Sequence, residues 1–363
     1  MSLRANLICV VLGLALIAGA CSASTTIEST EAATDLATPE ATPVEVIDEA
    51  AGGDGVRDEL GEQPTPDPEP TDVEQVDTTE TIDDLTASAT EVILLDAGAE
   101  PRAELRLTIA ASCGESTIID QTQEITQTVD GLALPEAGAL GTVVEMSTSA
   151  ARVGDNYETQ AEIIDAYASP SVAPGVAVGM NVELARLVGI TTFVTITDRR
   201  VQVPGTVRVD GAEAFGPLQS ALESVAQVQS PLPIEAVGVG ARWQVTNVVE
   251  FEGADLMTVT EYLLTDRDGT LVTMQLDATQ SVAAGSAMNM QGFEVEVIEW
   301  AHTTTGEVTM DLATISPIRS VRTTRATQLL DFGVEGVLLQ EIQSDMSMTT
   351  EPNSGCTGRT TNS

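Results

Sequence analysis

From Val92 to about Met348 the chain keeps a high density of apolar residues, and apolar and polar positions alternate there in short runs between turn signals. A period of two is the signature of strands with one buried face. Leu105-Arg106-Leu107-Thr108-Ile109 alternates cleanly, and Ser116 to Val129, Thr142 to Ala150, Tyr157 to Tyr167 and Phe193 to Val203 follow as runs rich in Thr and β-branched residues. Trp243 to Phe251, Met257 to Leu264, Leu271 to Ala278, Phe293 to Ile298, Val308 to Leu312, Ile318 to Leu330 and Val337 to Ile342 continue the series. So many short Thr-rich and Val-rich strands predict a large antiparallel sheet. Two segments break the pattern. Met180 to Val188 reads as a short helix, and Asp210 as the N-cap of a longer one ending before Pro231. Phe215, Leu218, Leu222 and Val225 share one face of that second helix and are expected to pack on the sheet. Helices against one face of such a sheet give a fold that is α+β and mainly β.

The residues ahead of this domain follow another pattern. Residues 1–20 carry a single charge, Arg4, and then the apolar run Leu7 to Ala20, the n-region and h-region of a secretory signal. A spanning helix needs about twenty apolar residues, so the run is short for a retained anchor. Residues 21–91 are dominated by Thr, Glu, Asp, Pro and Ala, as in Pro64-Thr65-Pro66-Asp67-Pro68-Glu69-Pro70, and contain no aromatic residue. Such a segment buries too little apolar surface to offset the entropy of ordering, which predicts a disordered acidic tether. About seventy flexible residues have an r.m.s. span near 45 Å, lengthened by charge repulsion and proline. A glycosylated stalk is an alternative reading of the same composition. The domain spans residues 92–348, and residues 349–363 form a polar tail.

Charge narrows the function. Fifty-six Asp and Glu stand against fifteen basic residues, for a formal net charge of −41, and every basic residue is Arg. That balance argues against nucleic acid as a partner, because phosphate binding needs clustered cations. With one His and four Cys, few metal or His-dependent catalytic sites can be built, and neither a cofactor nor an enzymatic activity is expected.

Cys21 closes the string Leu16-Ile17-Ala18-Gly19-Ala20-Cys21, which resembles the lipobox of bacterial lipoproteins. The resemblance implies diacylglyceryl transfer to the Cys21 thiol and a protein held to a membrane on the extracytoplasmic side of a bacterial envelope. Ala18 departs from the pattern, where Leu, Val or Ile is usual, and an ordinary signal cut at the same place is the alternative. The stretch from Pro233 to Trp243, in the pattern Pro-x-x-x-Val-Gly-x-Gly-x-x-Trp, precedes a second set of strands, with Gly306 to Leu312 and Pro317 further on. It resembles an uncharacterised family of bacterial secreted proteins and lipoproteins. More loosely, the layout is similar to half-barrel lipoprotein carriers, in which a curved sheet, sometimes of two similar halves, wraps helices around an apolar cavity. That likeness implies a lipid or other apolar ligand, lined by Phe215, Leu218, Leu222, Val225 and Trp243. Read physically, the glycines relieve a tight turn and the indole fills the core. A structural or protein-interaction role in the envelope is the alternative function.

The remaining candidates have plainer readings beside the functional ones. Asp266-Arg267-Asp268-Gly269 lacks the later ligands of a calcium loop and lies between two strand-like runs, as a hairpin turn would. Glu294 and Glu296 alternate with Phe293, Val295 and Val297, so with Glu299 they read as solvated carboxylates rather than an acid–base pair. His302 stands near no motif that would make it a general base. Arg319, Arg322 and Arg325 are the densest basic group, available to an anion or to ion pairs within the domain. Cys9 lies in the leader and Cys21 is assigned to lipid, which leaves Cys113 and Cys356 as a candidate disulfide in an exported compartment, or as two free thiols.

Overall fold

A computed structural model of the chain describes residues 90–109, 113–135, 138–203, 206, 208–210, 230–251, 253–290 and 293–352. The leader, the tether as far as residue 89, the predicted helix after Asp210 with Phe215, Leu218, Leu222 and Val225, and the positions Cys21 and Cys356 lie outside the described residues.

The first strands are β1 (Glu91–Asp96), β2 (Cys113–Val129), β3 (Leu132–Ala133), β4 (Leu140–Val153), β5 (Asn156–Ala168), β6 (Thr191–Thr197) and β7 (Arg208–Asp210). After residue 241 come β8 (Arg242–Phe251), β9 (Ala254–Asp268), β10 (Leu271–Val282), β11 (Ala287–Met290), β12 (Phe293–Asp311), β13 (Arg319–Asp331) and β14 (Val337–Pro352). All fourteen belong to one sheet, in the order β1-β8-β9-β10-β12-β13-β14-β2-β4-β5-β6-β7, with β11 on β12 and β3 on β2. Every strand pair is antiparallel. The chain thus makes two meanders, β2 to β7 and β8 to β14, joined where β14 pairs with β2. The sheet is not closed.

Its curvature follows from two hydrogen bonds. In a flat sheet β8 and β6, nine strand steps apart, would be separated by roughly 40 Å. Instead the indole N–H of Trp243 in β8 donates to the Pro231 carbonyl (2.9 Å), and the next residue, Leu232, donates to the carbonyl of Arg199, just past β6 (2.9 Å). The two ends of the sheet are therefore brought within a few residues of each other. A strap over 99–109 crosses the same end. It bonds Val239 and Val237 near β8, then Leu312 after β12 and Asp198 after β6.

Among the described residues one α-helix, α1 (Pro174–Leu184), continues into a 3₁₀ turn (Ala185–Leu187). Pro174 suits its start, where a missing N–H costs nothing. Met180, Leu184 and Leu187 bury against β4 and β5, and the Asn181 side chain accepts a bond from the Ala168 amide (2.7 Å). No helix among the described residues is long and apolar enough to cross a membrane.

Three expectations need correcting. Leu105 to Ile109 keeps its period-two burial, yet it belongs to the strap, because its backbone partners, Asp198 and Leu312, come from two separate loops and not from a neighbouring strand. The short helix begins at Pro174 instead of Met180. The polar tail starts later than Thr349, since β14 runs on to Pro352, which pairs with Glu115, and Glu91 at the other boundary already lies in β1.

Candidate functional site

At the strapped end the domain is sealed by buried charge. Arg199, with its side chain 8% exposed, donates from one nitrogen to the carbonyls of Leu105 (2.6 Å) and Pro233 (3.0 Å) and from another to the Ile234 carbonyl and the Glu104 carboxylate. Its neighbour Arg200 donates to the Ile315 carbonyl (2.6 Å). Glu115, fully buried, accepts from the amides of Ile315 (2.6 Å) and Ser316 (2.8 Å), which ties the loop after β12 to β2. Burial pushes the Glu115 carboxyl above its ordinary pKa against the pull of those amides and of Arg200, and lowers Arg200 to about 10.

Trp243 sits in this seal. It has no exposed surface, stacks on Tyr262 at 5.4 Å and caps the Pro231 carbonyl. A Cβ on Gly238 would fall 1.8 Å from the Ala99 carbonyl oxygen, so the Val-Gly-x-Gly stretch is where the strap passes at contact distance. The motif before Trp243 is thereby explained as part of the closure.

The three arginines of β13 do not converge. Strand alternation sends Arg322 to the inner face, where its Nε donates to Ser320 (3.1 Å), and leaves Arg319 and Arg325 exposed on the outer face. Arg325 borders a shallow outer groove of about 500 Å³ beside Glu341 and Gln343. Asp266 to Asp268 end β9 in register with β10, Gly269 (φ +62°) and Thr270 make the hairpin turn between them, and Glu294, Glu296 and Glu299 face solvent. Cys113 opens β2 opposite Ala150.

The more informative chemistry lies on the inner face. Across its centre, Thr258, Gln280, His302, Thr304 and Thr324 are half-buried, where a filled core would hold apolar residues. Gln280 bonds Thr258 (3.3 Å), and Thr304 bonds Thr324 (2.9 Å). Apolar clusters border this polar band on three sides: one around Trp243, Met274 and Met310, one around α1 with Met346 and Met348, and one around Met288, Met290, Leu330 and Leu338.

Beside the third cluster the register carries one row of side chains across four strands, Trp300 opposite Gln328, Gln328 opposite Gln340, and Gln340 opposite Gln127. Gln328 is 5% exposed and Gln340 not at all. Both amide atoms of Gln340, Oε1 of Gln328 and Nε2 of Gln127 are buried without a hydrogen-bond partner. One contact ties the row to the band: Nε2 of Gln328 lies 2.9 Å from Nε2 of His302. An amide nitrogen can only donate, so the imidazole accepts and carries its proton on Nδ1. Burial holds the His302 pKa down to about 4, and its ring stacks on Trp300 at 5.0 Å. The imidazole is therefore neutral at ordinary pH.

Gln127, Gln328 and Gln340 escaped the sequence reading, although a signal for all three exists. Gln127 occupies the alternation phase of Ile125 and Val129, Gln328 that of Ala326 and Leu330, and Gln340 that of Leu338 and Ile342, so each is a polar residue at an apolar-phase position. Among the described residues no group of His, Cys, Asp and Glu is arranged to hold a metal ion.

Comparisons with known proteins add little. No protein-family model matches the chain, and no curated protein matches it. Among solved structures, Pseudomonas aeruginosa OccK2 (OpdF) aligns at 6% identity with a TM-score of 0.16, over 65% of this chain and 98% of that one. A similarity of that size carries no argument.

Proposed function

We propose that the protein is an exported lipoprotein, anchored through Cys21, whose domain holds an apolar or amphiphilic ligand against the inner face of its open sheet. The observation that supports this reading most is that inner face. A half-buried polar band lies there among three apolar clusters, in a sheet that curves without closing. A surface of mixed character on a concave wall suits a ligand with both apolar and polar parts. The role read here is binding, in which His302 of this band is held in place by Gln328 and Trp300. The acidic segment after Cys21 would let the domain reach well beyond the membrane surface.

Native mass spectrometry of the full chain extracted in mild detergent tests the ligand. A bound species lost on organic extraction and regained on adding lipid extract is expected, and identical masses before and after extraction would overturn the reading. For the anchor, Cys21→Ser is expected to release the protein from membranes or to block its maturation. Two acyl chains hold a protein stably and a bare chain does not, so unchanged fractionation and unchanged mature mass would remove the anchor.

A further inference from the structure

We infer that the row Gln328, Gln340 and Gln127, entered past His302, is a subsite for the uncharged, hydroxyl-bearing head of a neutral amphiphile such as a monoacylglycerol. The inference rests on the binding role proposed above and specifies the chemistry of the ligand's polar end.

Three observations carry it. First, the free valences match a hydroxyl. Gln340 has a donor and an acceptor without partners, Gln328 adds an acceptor and Gln127 a donor, all on adjacent strands of one row. Cross-strand neighbours stand about 5 Å apart, so one or two hydroxyl groups, each a donor and an acceptor, can bridge them. Buried polar groups are almost always paired, and neighbouring orphan amides within one row are unusual.

Second, the row excludes charge. Its flanks are apolar, with Leu330 and Leu338 on one side and Ala326 and Ile342 on the other. The buried arginine of the same strand, Arg322, lies six residues from Gln328, about 20 Å along an extended chain. An ionised carboxylate or phosphate buried at the amides would lack a counter-charge, which low-polarity surroundings penalise heavily. The imidazole next to the row offers an acceptor atom to Gln328 and is not a cation.

Third, the row adjoins both the polar band and an apolar cluster. His302 is half-buried and belongs to the polar band, while Gln328 and Gln340 behind it are sealed. A head group arriving along the band meets the His302–Gln328 bond first and then the orphan amides. The buried cluster of Met288, Met290, Trp300, Leu330 and Leu338 adjoins the row and keeps its surroundings apolar.

The single histidine of the chain makes the test direct. Imidazole resonances of tag-free, full-length protein in detergent are recorded with added monooleoylglycerol, with oleate at pH 8, and with detergent alone. Monooleoylglycerol is expected to shift the His302 signals saturably, and oleate to do so at least tenfold more weakly. Gln340→Leu removes one donor and one acceptor from the subsite and is expected to weaken monooleoylglycerol binding about tenfold. The same variant is expected to keep or raise Tm, because an orphan buried amide has been replaced by an apolar group. A merely structural glutamine would instead lower Tm on substitution and leave affinity unchanged, which would overturn the subsite. Equal binding of oleate would also overturn it, and so would unperturbed imidazole signals. If native mass spectrometry shows a bound amphiphile while Gln340→Leu retains full affinity, the subsite fails and the carrier reading stands. If nothing binds in either experiment, both fail.

Discussion

At the scale of single residues, the inner face is decided by side chains that depart from the local rule. His302 is the clearest, because its proton affinity differs between folded and unfolded chain. The ordinary imidazole value is 6.5, and burial lowers it to about 4 in the fold. Between those values the unfolded chain binds more protons, so His302's contribution is complete above pH 6.5 and is lost as pH falls toward 4. At about 1.4 kcal/mol per unit, the loss is at most about 3.5 kcal/mol. Many carboxylates titrate in the lower part of the same window, so the informative quantity is a difference. His302→Gln has nothing to titrate and still offers Gln328 an acceptor. The stability advantage of the natural protein over that variant is expected to shrink steadily from pH 7 to pH 4.5 in urea titrations. A constant difference across the range would show that His302 does not carry the pH dependence.

Residues also show where sequence reading succeeds and where it stops. Trp243 was legible as core, because an aromatic at the head of an alternating run has few other places to go. The three β13 arginines were legible as a basic cluster but not as a divided one, although strand alternation alone sends Arg322 to the face opposite Arg319 and Arg325. The amide row was hidden for a different reason. Glutamine in a strand usually faces water, and only the strand partners show that Gln328, Gln340 and Gln127 stand side by side.

At the scale of elements, the meanders were readable because each strand's pattern is local, whereas the strap was not. Leu105 to Ile109 has the alternation of a strand, but its hydrogen bonds reach to residues far along the chain. Arg199 shows what holds this element. Its guanidinium satisfies the carbonyls of Leu105, Pro233 and Ile234, which otherwise lack those donors. Arg199→Ala would remove the bonds and leave the buried carbonyls of Leu105 and Pro233 behind, and each such orphan costs about 1–3 kcal/mol. The expected result is a loss of at least about 2 kcal/mol in chemical unfolding, together with faster amide hydrogen exchange at Leu107 and Thr108. Arg199→Lys is expected to recover only part of this, because an ammonium cannot reproduce the forked donor geometry. Unchanged exchange in the alanine variant would mean that the strap is held by its backbone bonds alone.

At the scale of the whole molecule, the order of the sheet brings the chain's last strand against one of its earliest. No local pattern announces that β14 pairs with β2, and this pairing fuses the two meanders into one wall. It also bears on the cysteines. Pro352 at the end of β14 lies opposite Glu115, and Cys113 is two residues beyond Glu115 at the start of β2. Cys356 follows Pro352 by four residues, a length of chain that reaches at most about 14 Å. Adjacent strands are about 5 Å apart, so the spacing permits the Cα separation of about 7 Å or less that a disulfide requires. A Cys113–Cys356 bridge would close a loop of roughly 240 residues and lock the β14–β2 seam at the strapped end. The chain-entropy model assigns such a loop about 5 kcal/mol, an upper figure for most real bridges. In protein exported to an oxidising compartment, both thiols are expected to resist alkylation before reduction, and a peptide pair containing Cys113 and Cys356 is expected in the non-reduced digest. Reduction should then lower Tm, and Cys356→Ser should lower it equally and abolish the effect of reductant. Rapid labelling of both thiols in the non-reduced exported protein would refute the bridge and leave the seam to its backbone hydrogen bonds.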